Sequence, residues 1–330
     1  DDITPLHEIM DKKVTSEKYL YQPRTTYRTQ GRQSNTQSSG TNAPNGVIVR
    51  FYQKTKATKE LELEFLNDKN ESIIKYSSVK NTKGEPQKVA KEFHQDTEKE
   101  KAGYVPNKAG MNVFVWNMRY PNATEVEGTN VMWAGSGVGA KVLPGMYKVR
   151  FIEDKKIIGE QTFDIKKDPR AEGTDADLKE QFEFHQKVNK KVNEANLAIN
   201  KIRKIKGQIN GYVGAVKDSV MVKEMKKMTE PTLKSLEELE ATLMQPKAKA
   251  PQDVLAYPIM LNDKMAGLGS NVSSGDTKPT KGAYEVYDDL AKKIDIAVAK
   301  VNEIATVKVP EFNAFIQQKQ IPAIVIEDKK

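Results

Sequence analysis

The 330-residue chain contains no cysteine, and this absence excludes disulfide cross-links and thiol chemistry. It also lacks an apolar run of about 18 residues, so the sequence predicts no membrane-spanning helix. Only three histidines occur. His7-Glu8 resembles the start of a zinc-protease helix motif, but the fifth position holds Asp11 instead of a second histidine. We therefore expect no metal site and no cofactor.

Charge is abundant but mixed. The formal net charge is +8, and 30% of the residues are charged. The strongest basic stretch, 187–206, carries seven lysines and arginines against the single Glu194, but it has no interleaved aromatic residues. We interpret this stretch as a solvated helix face and expect no nucleic-acid partner.

The length predicts about two domains. Because the chain begins at Asp1 without a methionine or an apolar leader, we expect a processed form, a recombinant piece or the tail of a longer protein. Residues 1–28 have no sustained periodicity and predict an extended segment that packs on something else. Residues 29–45 are rich in Ser, Thr, Asn, Gln and Gly, a composition typical of a polar linker.

Residues 46–168 show the two-residue period of half-buried strands. In one run Leu61, Leu63 and Phe65 alternate with glutamates, which predicts an antiparallel sheet with one solvent-exposed face. Tyr147 follows Leu143 and Gly145 at the spacing of a tyrosine corner. About seven strands over roughly 120 residues predict an immunoglobulin- or fibronectin III-like antiparallel β-sandwich.

The glycine-rich piece 134–140 reads AGSGVGA and differs from a dinucleotide-binding fingerprint. Its glycines are evenly spaced, and a Pro144-Gly145 turn and a strand follow instead of a helix. Without a helix N-terminus there is no dipole to hold a pyrophosphate. We interpret the piece as a strand-to-strand connection.

Residues 169–330 carry apolar residues at steps of three and four, which predicts three long amphipathic helices in an antiparallel bundle. Thr174 or Asp175 is the expected N-cap of the first helix. We expect that helix to break at Gly211 and Gly214, and Thr229-Glu230-Pro231 to cap a later one. His185 lies on the apolar stripe and is expected to be a packed side chain. The predicted fold class is therefore a multidomain α+β protein.

A set of sequence pieces occurs in a family order along nearly the whole chain: DDITPL, YLYQPRTTYR, NGVIVRFYQK, AGMNVFVWNMRYP, LPGMYKVRF, KKDPR, TDADLKEQF, LNDKMAGL and AYEVYDDL with VPEFNAF. This set resembles the C-terminal region of bacterial secreted proteins with a sortilin-type, BNR-repeat β-propeller, which are described as glycosyl-hydrolase-like. The resemblance implies that 1–28 is a remnant of the propeller edge and that the propeller, with any catalytic site, lies elsewhere. It also implies secretion or location in the envelope of a Gram-negative, Bacteroidota-like bacterium.

Three functions stay open. The first is a non-catalytic structural or interaction module that packs on the propeller of the same polypeptide or on an envelope protein. The second is a cell-surface module that binds glycan or peptide, with Trp133 and Tyr104 as possible contacts. The third is an accessory region of a glycoside hydrolase, although the sequence shows no catalytic constellation. Asp218-Ser219-Val220 resembles the O-glycosylation pattern of such bacteria, which makes Ser219 a candidate modification site.

Overall fold

The protein is a mixed α and β chain, described by a computed structural model for residues 3–12, 16–29, 44–79 and 104–321. Most of the predicted linker 29–45 lies outside the described residues, as does the greater part of the polar stretch before Tyr104, including His94. The strands are β1 (Lys18–Leu20), β2 (Thr26–Arg28), β3 (Val47–Gln53), β4 (Leu61–Leu66), β5 (Ser72–Ser77), β6 (Gly110–Trp116), β7 (Gly145–Glu153) and β8 (Lys156–Lys167).

The strands form two sheets. The first has the order β1-β3-β6 with antiparallel neighbours, and the second has the order β2-β8-β7-β4-β5. The second sheet is antiparallel except for β2, which runs parallel to β8. Six strands, β3 to β8, lie among the described residues between 46 and 168, where the sequence predicts about seven. Each predicted run forms a strand, because its apolar residues alternate with polar ones at the period of a pleated strand.

One hydrophobic core takes side chains from both sheets. The ring of Phe65 in β4 stacks on that of Trp116 in β6, with centroids 4.4 Å apart, and Phe51 packs 4.7 Å from Phe151. The predicted tyrosine-corner bond is confirmed, because the Tyr147 hydroxyl donates to the Leu143 carbonyl at 2.7 Å. Aromatic contacts and this bond fix β6 and β7 around the same interior.

The helices are α1 (Thr4–Lys12), α2 (Asp175–Ala215), α3 (Ser219–Leu243), α4 (Leu261–Val272), α5 (Lys281–Glu303) and α6 (Val309–Gln318). A 3₁₀ turn at Pro251–Leu255 precedes α4, and a π turn at Ile304–Lys308 joins α5 to α6. Three of these helices are long, as the periodicity predicts. Thr174 caps α2 as expected, since its hydroxyl accepts the Asp177 N–H at 3.1 Å while the Asp177 carboxylate accepts the Thr174 N–H at 2.9 Å.

Two expected helix boundaries are wrong. Helix α2 continues through both of its late glycines to Ala215, and α3 contains Pro231 in its interior. The cap of α3 is Asp218, whose carboxylate accepts the N–H groups of Val220 and Met221. Thr229 is buried and donates to the Met225 carbonyl at 2.8 Å, one turn back. Its hydroxyl therefore serves the helix interior and not a helix start.

The chain forms two compact units that are not contiguous in sequence. The β unit contains Asp1–Asn122, Gly139–Glu183 and Gly275–Lys278, and the helical unit contains Ala123–Val138, Phe184–Ser274 and Pro279–Lys330. The division therefore differs from the expected boundary between 168 and 169. The connection between β6 and β7 supplies part of the helical core, because Ala123 and Val126 are buried there. Periodicity along the chain could not reveal this exchange of short segments.

The first segment also differs from the expected extended chain. Residues Thr4–Lys12 form a helix, so this part of the expected propeller-edge remnant is not extended. After the helix, β1 pairs with β3 and β2 pairs with β8. The segment thus adds one strand to each sheet. Both of these short strands pair with strands that are distant in the sequence.

Candidate interaction surfaces

Helix α1 is oriented with apolar side chains toward solvent. Ile3, which directly precedes the helix, is 54% exposed, and Leu6 and Met10 within it are 58% and 77% exposed. The three residues follow each other at steps of three and four, which place side chains on one helix face. We call these three residues the α1 surface. Exposed apolar residues in such a row are typical of an interface with another molecule or domain.

The opposite face of α1 is held by a buried carboxylate. Glu8 is only 7% exposed. Its Oε1 accepts the Tyr19 hydroxyl at 2.8 Å, and its Oε2 accepts the Gln22 N–H at 3.0 Å. A buried carboxylate is stable only with such partners. The polar side chain therefore fixes the helix, and the apolar residues remain outside. In the sequence, Glu8 stands out only as part of the incomplete zinc-protease motif. Its bonds to Tyr19 and Gln22 could not be predicted from that motif.

The segment 123–138, which we call the strap, is bound along α2 by a row of asparagines. Asn189, Asn193, Asn196 and Asn200 follow each other at steps of four, three and four residues, so they lie on one helix face. Their carboxamides bind main-chain groups of the strap. Asn193 accepts the Thr124 N–H at 2.8 Å, and Asn196 donates to the Thr124 carbonyl at 2.9 Å.

The rest of the row continues the same pattern. Asn200 accepts the Glu127 N–H at 2.8 Å and donates to the Glu125 carbonyl at 3.0 Å. Asn189 donates to the Gly137 carbonyl at 2.8 Å. Because these bonds use only the backbone of the strap, they fix its path without depending on its side chains. The sequence alone does not indicate which groups these asparagine side chains bind.

A second buried carboxylate holds the tip of the strap. Asp263, in the first turn of α4, is 2% exposed. It accepts the N–H groups of Trp133 and Ala134 at 2.8 Å each and that of Gly135 at 3.3 Å. A Cβ at Gly135 would overlap the backbone of Ala266, so the strap lies directly against α4. This close approach requires glycine.

Trp133, a predicted ligand contact, is carried on this fixed tip. Its side chain is 62% exposed, whereas Trp116 is fully buried in the β unit, as expected for a core residue. Tyr104, the other predicted contact, is half-buried in the β unit, beside Val105, whose N–H donates to the Ser77 carbonyl at 3.0 Å. The structure does not bring the two aromatic residues together within one compact unit.

Ser219, the predicted modification site, is exposed at the first position of α3. The neighbouring Asp218 carboxylate accepts N–H groups at 2.8 and 3.0 Å, and these bonds hold its pKa below the ordinary value. The tripeptide is thus a helix start, a role for Asp218 that the pattern search did not consider. An exposed hydroxyl at that position is accessible to a modifying enzyme.

Much of the basic stretch of α2 is engaged within the helical unit. Lys191 contacts both Glu194 and Asp295 at 2.6 Å, and Arg203 and Lys206 contact Glu240 at 2.8 and 3.1 Å. Burial raises the pKa of Glu240, but its bonds to the two cations outweigh burial and lower it overall. Ion pairing thus reduces the exposed positive charge that the sequence suggested.

The β unit contains a buried cluster of cations. Arg28 donates through Nε to the Val142 carbonyl at 3.0 Å, pairs with Asp276, and donates to Gln181 at 3.3 Å. Lys141 donates to the Thr29 carbonyl at 2.6 Å, and burial, with the nearby cations Arg28 and Arg119, lowers the pKa of Lys141 to about 8. Most of these contacts are to carbonyls of the unit itself, so the cluster holds its segments together.

Potential metal ligands are dispersed in the part of the chain that the structure describes. No group of three potential metal ligands occurs among these residues, and no helix within them is both long and apolar enough to cross a bilayer. Glu62 and Glu64, glutamates of the predicted alternating run in β4, lie near Lys75, at 3.8 and 3.9 Å. His185 is buried, and its Nε2 lies against Gly269.

Comparison with family models, with curated proteins and with solved structures finds no match for the chain.

Proposed function

We propose that the chain is a non-catalytic structural and interaction module, the C-terminal part of a secreted β-propeller protein, and that it packs on the propeller or on an envelope partner. The observation that carries this proposal is the orientation of α1. Its Glu8 is buried and bonded, while the α1 surface is exposed. Covering three large apolar side chains would contribute about 2 kcal/mol each to such packing.

The fold proposal is an immunoglobulin-like sandwich followed by an antiparallel helical bundle. A core shared by both sheets and the bond from Tyr147 to Leu143 support the sandwich. A second core, built mainly from α2 to α6, supports the bundle.

The propeller and the secreted location rest on the ordered set of sequence pieces. Exposure of Ser219 is consistent with glycosylation in the envelope. Intact-mass measurement of the protein from its native host tests whether Ser219 is glycosylated. We expect added mass that is lost in Ser219→Ala, and an unmodified mass would contradict it.

Reading the natural gene upstream of Asp1 and measuring solution scattering on its full product test the main proposal. We expect propeller repeats upstream and a compact particle. Replacing both Leu6 and Met10 by glutamate should enlarge the radius of gyration, because the module would detach. Ile158→Glu, at an exposed apolar residue of β8, is the matched control. A gene without propeller repeats, or an unchanged radius in the double variant, would show the proposal to be wrong.

A second candidate function is a cell-surface module that binds glycan or peptide. It is favoured by one observation, the exposed Trp133 on the tip of the strap. The third hypothesis, an accessory region of a hydrolase, gains no supporting geometry from Glu62 and Glu64.

A further inference from the structure

Trp133 combines high exposure with a fixed backbone. Three successive N–H groups, beginning with its own, donate to the Asp263 carboxylate. Exposed loop tips are usually mobile. Here a buried carboxylate and the close contact of Gly135 with α4 restrict the tip. A side chain on a backbone that is already fixed loses less conformational entropy when a ligand binds.

The neighbours of Trp133 along the chain indicate the chemistry that its ring can recognise. From Gly128 to Ala140 the chain contains no charged residue. The negative charge of Asp263 is buried and accepts three N–H groups, so it is not presented to a ligand. An exposed indole offers an apolar face and one N–H donor. These features fit a flat, neutral ligand with C–H groups on one face and hydroxyl acceptors at its edge.

We propose that Trp133 is a stacking platform for a neutral saccharide, with Asp263 as the positioning residue that orients it. The pyranose ring would lie on the indole, and a sugar hydroxyl would accept the indole N–H. This inference rests on the second candidate function and narrows its ligand to one class.

The presence of only two tryptophans gives a direct experiment. The full chain is labelled with 5-fluorotryptophan, and fluorine NMR follows Trp133 while buried Trp116 serves as the internal reference. Neutral oligosaccharides (cello-, chito-, malto- and manno-oligomers) are titrated to about 10 mM, a range that covers millimolar dissociation constants. We expect at least one of them to shift the Trp133 resonance and leave the Trp116 resonance in place.

Three variants sharpen the result. Trp133→Ala has no Trp133 resonance, so isothermal titration calorimetry follows its saccharide binding, which should weaken by on the order of tenfold or more. Leu255→Ala, at a more exposed apolar residue of the helical unit, should not change the affinity. Asp263→Asn keeps the ring but weakens its support, so it should weaken binding and broaden the Trp133 resonance. An unchanged Trp116 resonance and an unchanged helical circular dichroism spectrum then report that both units are folded.

The outcomes distinguish a wrong ligand class from a wrong function. A Trp133 shift with a peptide mixture but with no saccharide would overturn the saccharide proposal and leave a binding module. No shift with either would overturn both. A saccharide affinity in Asp263→Asn equal to that of the parent chain, with a sharp Trp133 resonance, would refute the positioning role.

Discussion

At the scale of single residues, two buried carboxylates have the same task in different units. Glu8 accepts one backbone N–H and a tyrosine hydroxyl, and Asp263 accepts three backbone N–H groups. Each holds a segment whose apolar side chains remain in solvent. Burying a carboxylate costs free energy that only such bonds can offset. A side chain of this kind is therefore sensitive to substitution, although it contacts no ligand.

Tyr147→Phe tests the tyrosine corner. The change removes the hydroxyl that donates to the Leu143 carbonyl at 2.7 Å and retains the ring. We expect the free energy of unfolding to fall by about 1–2 kcal/mol, measured by urea denaturation with tryptophan fluorescence. Tyr27→Phe, at a more exposed tyrosine in β2, is the control and should change stability little. Equal losses in the two variants would contradict a specific role for the bond.

Asp168 should make stability depend on acid pH. Bonds from the Arg170 side chain and backbone lower the pKa of Asp168 to about 2. Because its pKa is lower in the folded state, its contribution is complete above the unfolded value of about 4 and is lost as the pH falls from about 4 to about 2.

The variant Asp168→Asn should therefore lose this part of the acid dependence. We expect a smaller difference in unfolding free energy between pH 5 and pH 3 than in the parent chain, measured by urea denaturation. Arg170→Gln should reduce the difference in the same direction. The contribution of the Asp168–Arg170 pair to the unfolding free energy is small, because Arg170 is mostly exposed. An unaltered pH dependence in both variants would be evidence against the pair.

At the scale of elements, α2 combines two faces with different partners. Its apolar stripe, including Val188, Val192 and Ile199, belongs to the helical core. Its asparagine row binds the backbone of the strap. The first face was visible as a helical period in the sequence. The second was not, because an asparagine on a predicted helix is compatible with solvent exposure as well as with a main-chain partner.

Asn196→Ala tests the asparagine row. Asn196 is 4% exposed, donates to the Thr124 carbonyl at 2.9 Å and accepts from the Asn262 carboxamide at 3.3 Å. We expect the free energy of unfolding to fall by about 1–3 kcal/mol, because the buried Asn262 carboxamide loses this acceptor and the Thr124 carbonyl loses its donor. Thermal unfolding followed by circular dichroism measures it. Asn210→Ala, at an exposed position of the same helix, should cost nothing, and a comparable loss there would point to a general effect of helix substitution.

At the scale of the whole molecule, the noncontiguous units predict how fragments behave. The fragment 169–330 contains the long helices but lacks the strap, so the core positions filled by Ala123 and Val126 would be open. We expect this fragment to melt at a lower temperature, with lower cooperativity, than the helices do in the full chain.

Addition of a peptide that covers 122–139 should raise the melting temperature of the fragment, since the asparagine row binds backbone groups. A peptide of the same composition in scrambled order is the control, and it should have a weaker effect because it places other residues at the positions of Ala123 and Val126. A fragment as stable alone as in the full chain would show that the strap is dispensable.

The sequence by itself determined the local elements. Strand alternation at Leu61, Leu63 and Phe65, the helical steps of α2 and the tyrosine-corner spacing all depend on neighbours within a few residues, and the structure agrees with them. Only the tertiary structure decided which distant segments join. The helical start at Thr4, the strap in the helical unit and the burial of Glu8 and Asp263 depend on partners many residues away. Such contacts form because buried polar groups need partners, and no period along the chain records which partner they find.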